Sequence, residues 1–87
     1  MRVALEPAAD AYLEMLHHAD PRAAGRVEEA LDDLEADPSA ARYRRHSIVP
    51  AGDERTVWGF VVAGQMILWR PQGEILHVLH IGQNVLF

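Results

Sequence analysis

Three short apolar segments, Thr56 to Ala63, Met66 to Arg70 and Glu74 to Ile81, follow one another with little more than Gly64 and the Pro71-Gln72-Gly73 triplet between them. Their β-branched and aromatic content reads as strand. Turns this tight join neighbouring strands antiparallel, because a parallel pair needs a crossover of a dozen or more residues. The second half of the chain is therefore expected to form a three-stranded antiparallel meander.

The first half follows a different period. Met1 to Leu5 reads as a short strand that Glu6-Pro7 stops, since proline lacks a ladder donor and suits the first turn of a helix. From Pro7 to about Ala19, the residues Ala8, Ala11, Tyr12, Met15 and Leu16 recur at three- and four-residue spacings and predict one apolar helical stripe. Asp20-Pro21 is a helix start, with the aspartate placed to cap free amides. A second helix then runs to about Asp37, with Ala24, Val27, Leu31 and Leu34 inward and Glu28, Glu29, Asp32, Asp33 and Glu35 largely outward. With almost no linker at Asp20-Pro21, the two helices must fold back on each other. Arg42 to Val49 fits no single period, and Pro50 to Glu54 is a loop by composition. The expected architecture is α+β in the order β-α-α-β-β-β, with the helical hairpin on one face of a sheet that the first strand joins.

Eighty-seven residues, 49% of them hydrophobic and 24% charged, suit one folded domain spanning 1–87. With no cysteine the chain has neither a disulfide framework nor a thiolate metal site, and a cytoplasmic home is the simplest expectation. Glu6, Pro7 and Asp10 break any signal-like apolar run at the start, and no segment approaches membrane-spanning length. The net charge of −5 is unevenly spread: residues 1–41 hold ten acids and three arginines, residues 42–87 three acids and five arginines. Any polyanion contact is expected in the second half.

That half holds the chemically interesting side chains. Arg42, Arg44, Arg45, His46 and Arg55, with Arg70 at the end of its strand, make the one basic concentration. Guanidinium forks suit phosphate oxygens, and salt bridges to the acidic second helix are the equal rival. Strict strand alternation sets Leu76, Val78 and His80 on one face and Ile75, His77, Leu79 and Ile81 on the other. On that reading the two histidines cannot share a metal, and neither metal nor cofactor is expected. His80 is the better candidate for proton transfer, weighed against an imidazole bonded to backbone. His77 reads as a core-edge residue, and His17 and His18 as surface positions. Trp58 and Trp69 could stack on bases but more often pack a core. Val85, Leu86 and Phe87 leave apolar residues at the end of the sequence, a candidate surface for a partner or a second copy.

The block GRVEEALDDLEADP, the arginine-rich RYRR, the strands VWGFVV and GQMILWR, and VLHIG, in this order and over nearly the whole chain, resemble the RelE/ParE superfamily of toxins from bacterial toxin–antitoxin pairs. The resemblance implies a curved sheet with helices on one side and a functional concave surface on the other. It also implies a small antitoxin that wraps the toxin. In the RelE branch the target is ribosome-bound messenger RNA, and in the ParE branch it is DNA gyrase. The basic residues of the usual RelE pattern would fall at Val57, Gly59, Met66 and near Asn84, where no charge stands, and no tyrosine follows Asn84. Losing one charge stabiliser can cost several kcal/mol of barrier, so the expected function is a toxin-like, antitoxin-binding component without the ordinary RelE catalytic set. If RNA is cut, a non-standard set is expected, with Arg44, Arg45 and Arg70 on phosphate and His80 as the proton-transfer residue. The rivals are a gyrase inhibitor and a non-catalytic interaction module.

Overall fold

A computed structural model describes residues 2–48 and 56–83. The chain runs β1 (Arg2–Leu5), α1 (Pro7–Ala19), α2 (Pro21–Ala36), a 3-10 turn (Ala41–Tyr43), β2 (His46–Ile48), β3 (Val57–Val62), β4 (Gln65–Gln72) and β5 (Ile75–Gly82). The strands form one five-stranded sheet in the order β1-β5-β4-β3-β2. The expected meander is present as β3, β4 and β5. The segment that fitted no period adds the fifth strand, β2, which pairs antiparallel with β3 from His46 opposite Gly59 to Ile48 opposite Val57. β1 joins parallel to β5, with Arg2 opposite Ile75 and Leu5 opposite Val78. Between these parallel strands the chain runs through the helical hairpin and then β2, β3 and β4, far more than the crossover a parallel pair needs.

Asp20 closes α1 and opens α2. Its backbone N–H donates to the Leu16 carbonyl at 2.7 Å, and its side chain accepts from the Ala23 N–H at 3.1 Å. One residue thus satisfies end groups of both helices and leaves room for nothing but a sharp reversal. α2 buries Ala23, Ala24, Val27, Leu31 and Leu34, as its period predicts. α1 is rotated from the expected stripe: it buries Ala9, Leu13 and Leu16, while Met15 is 47% exposed and Tyr12 sits at the margin. Ala9, Leu13 and Leu16 have the same four-and-three spacing as the expected set, and tertiary packing chose between two overlapping stripes. His17 lies on the surface, where it meets Glu28 across the hairpin.

Pro71 and Gln72, expected in a turn, continue β4, and the turn falls at Gly73 and Glu74. The last register pair of β4 with β3 is Trp69 with Trp58, so Pro71 lies beyond it, where a missing N–H breaks no bond to β3. The helices cover the face formed by Phe60, Ile67, Trp69, Leu76, Val78 and Ile81. Trp69 is fully buried, and its indole N–H donates to the Tyr43 carbonyl at 2.9 Å, which ties the 3-10 turn to the sheet. β1 is an edge strand, and the Glu35 carboxylate accepts from the Val3 N–H at 2.9 Å, which covers part of that edge from α2. Among the described residues no helix is long and apolar enough to cross a membrane.

Candidate functional site on the far face of the sheet

The face turned away from the helices is decided by one irregularity. Trp69 pairs with Val78, but Leu68 pairs with His80, so β5 spends one extra residue, Leu79, at this step. Such a bulge reverses the alternation of everything beyond it. Ile81, not His80, returns to the core beside Ile67. His80 joins His77 on the far face, where His77 stands opposite Arg70 and His80 opposite Leu68. The expectation that the two histidines point to opposite sides is thus corrected. Val78 and Leu79, two adjacent apolar residues set between His77 and His80, are the signal in the sequence that could have shown it.

A polar group lies near each imidazole. The His80 Nε2 lies 2.9 Å from the Gln83 carbonyl oxygen. A carbonyl only accepts, so Nε2 donates and Nδ1 is the nitrogen left with a lone pair in the neutral ring. The His77 Nδ1 lies 3.7 Å from a Glu6 carboxylate oxygen. By sequence Glu6 is a strand breaker. Its backbone N–H donates to the Val78 carbonyl at 2.9 Å, which prolongs the β1–β5 ladder by one residue and brings the carboxylate to His77. Across β4, Gly59 is packed under Leu68: a Cβ at Gly59 would lie 2.9 Å from a Leu68 methyl. One position where the family pattern expects a cation is therefore occupied by packing. Met66 and Val57 are also on this face, 0% and 6% exposed.

The expected basic group does not converge. The Arg44 guanidinium lies 4.8 Å from the Trp58 ring and 5.4 Å from the Trp69 ring, and its Nε donates to the Pro38 carbonyl at 3.0 Å. Both tryptophans belong to the helix-side core or its margin, so neither is a base-stacking platform on the far face. Arg42 stacks on Tyr43 at 4.8 Å, and its pKa is raised, first by a hydrogen bond with the Tyr43 side chain and further by Asp33 and Asp37. Arg42 and Arg45 line a groove of 390 Å³ with Glu29 and Asp33 of α2 and Phe60 to Val62 of β3. His46 is on the far face, its Cβ 3.6 Å from where a Gly59 Cβ would stand. Among the described residues, Arg70 is the one arginine of those singled out that stands beside the histidines. Arg55 and the Val85, Leu86 and Phe87 group lie outside the described residues. Among the described residues no group of three or more His, Cys, Asp or Glu side chains could hold a metal ion.

No family model matches the sequence, and no curated protein does either. Among solved structures, a YoeB/ParE toxin from Agrobacterium tumefaciens is similar, with a TM-score of 0.74 at 16% identity over 97% of this chain and 99% of that one.

Proposed function

We propose that this chain, whose fold is that of the RelE/ParE toxins, is the toxin-like member of a toxin–antitoxin pair, acting on RNA through the far face of its sheet. The observation that carries this reading is the placement of His80 and Arg70 on one face by the Leu79 bulge. An imidazole can take or give a proton near neutral pH, and a guanidinium beside it can neutralise a phosphate. The basic residues of the usual RelE pattern are absent, so the reaction depends more on proton transfer and less on charge. A small antitoxin is the partner proposed for the same face.

A second reading has its own support. Met66 and Val57 are buried on the far face outside the helix-side core, which suits an apolar binding surface and an interaction module. Controlled expression in a bacterial host, with and without the neighbouring small reading frame, separates the cases. Growth arrest with cleaved messages, relieved by the neighbour's product and lost in His80→Ala and Arg70→Ala, is the expected result. Arrest with DNA damage and intact messages would point to gyrase, and normal growth would leave the interaction module.

A further inference from the structure

The second histidine has a use that the ribonuclease reading leaves open. We propose that His77 is the general acid of this face, protonating the leaving 5′-oxygen while His80 acts as the base. The inference rests on the RNA-cleaving function proposed above and goes beyond it by completing the proton transfer. His77 and His80 stand opposite Arg70 and Leu68, two residues apart on β4. At the rise of a strand this separates them by about 7 Å along one face. An in-line displacement needs its base and acid on opposite sides of one phosphorus, each within hydrogen-bond reach of its oxygen. Backbone positions at this spacing allow two imidazoles to reach one phosphate from its two sides.

Their neighbours divide the roles. His80 donates from Nε2 to the Gln83 carbonyl, so the neutral ring offers the lone pair of Nδ1. His77 has a Glu6 carboxylate oxygen 3.7 Å from Nδ1. When that ring carries both protons, Glu6 supplies the counter-charge and Nε2–H is the proton to give. In the reaction His80 Nδ1 removes the ribose 2′-hydroxyl proton, and the 2′-oxygen attacks phosphorus. The bond from phosphorus to the 5′-oxygen breaks as His77 protonates that oxygen. The products are a 2′,3′-cyclic phosphate and a 5′-hydroxyl, and exchange with solvent resets both rings. Arg70, across from His77, adds positive charge beside the phosphate.

The test uses the full chain in a translation mixture of purified ribosomes and message, with cleavage sites and end groups mapped. Wild type should leave 2′,3′-cyclic phosphate and 5′-hydroxyl ends, and His77→Ala and His80→Ala should each slow cleavage by about 100-fold or more. A message carrying sulfur in place of the 5′-bridging oxygen at the mapped bond then assigns the acid, because a thiolate leaves without a proton. His77→Ala should cut this message within about tenfold of wild type, and His80→Ala should not recover. Recovery also shows that the variant is folded. Cleavage of ordinary RNA by His77→Ala at the wild-type rate, or a slow His77→Ala that sulfur does not rescue, would overturn the role of His77 and leave the RNA-cleaving reading standing. A wild-type chain that cuts no message would overturn that reading first, and a fully active His80→Ala would overturn the role of His80 as the base and with it this proposal.

Discussion

The two faces of this sheet are made by the same five strands and have been put to different ends. On the helix side, Ile67, Trp69, Leu76, Val78 and Ile81 pack under α1 and α2. The polar groups there are tied into the structure: the Trp69 indole to the Tyr43 carbonyl, the Arg44 guanidinium to the Pro38 carbonyl and two aromatic rings. On the far side, His46, Arg70, His77 and His80 stand among Gly59, Leu68 and Met66, and none of the four is fully buried. A hydrogen-bonded polar group within a packed face serves stability, whereas a titratable group at partial exposure retains the freedom to exchange protons. Stability should therefore follow the helix side and the proposed activity the far side.

The sharpest way to break that division is to truncate one residue on each face and compare the melts. Trp69→Ala should lose about 3–5 kcal/mol in denaturant unfolding, from the cavity and from the stranded Tyr43 carbonyl. His77→Ala and His80→Ala should stay within about 0.5 kcal/mol of wild type. Comparable losses on both sides would remove the distinction. Next in size, Arg44→Ala should cost about 1–2 kcal/mol through its lost ring contacts and hydrogen bond. Exposed Arg45→Ala should lie within about 0.5 kcal/mol. Equal effects would mean that Arg44 is as free for phosphate as Arg45. Gly59→Ala should cost about 1 kcal/mol, since the Leu68 methyl it meets must give way. A stabilised variant would show that the missing cation there is not a matter of space. Smallest, Asp20→Ala should lower stability by about 1 kcal/mol or less, the usual loss of a helix cap, with cleavage unchanged.

Much of the frame was legible because its signals are local. The Asp20-Pro21 junction, the α2 stripe and the strands around Gly64 and Gly73 are each set by residues adjacent in sequence. The rotation of α1 was not legible, since Ala8, Ala11, Met15 and Ala9, Leu13, Leu16 are competing stripes on one helix and only packing decides between them. Nor was β2: three residues become a strand only because β3 offers an edge. The site was half legible. His80 and Arg70 stand out by residue type, but their convergence with His77 depends on the bulge at Leu79. The arginine cluster shows the opposite case. Residues close in sequence, Arg42, Arg44 and Arg45, are sent by the 3-10 turn to Tyr43, to the tryptophans and to the α2 groove.

The proposed pair of proton transfers turns on His77 and His80 sharing a face. The sequence has no cysteine, so His77→Cys/His80→Cys can be labelled with nitroxides at those two positions alone. Side chains on one face, about 7 Å apart, should give strong dipolar broadening in the frozen spectrum compared with either single label. A double-label spectrum equal to the sum of the two singles would place the residues on opposite faces and contradict the account.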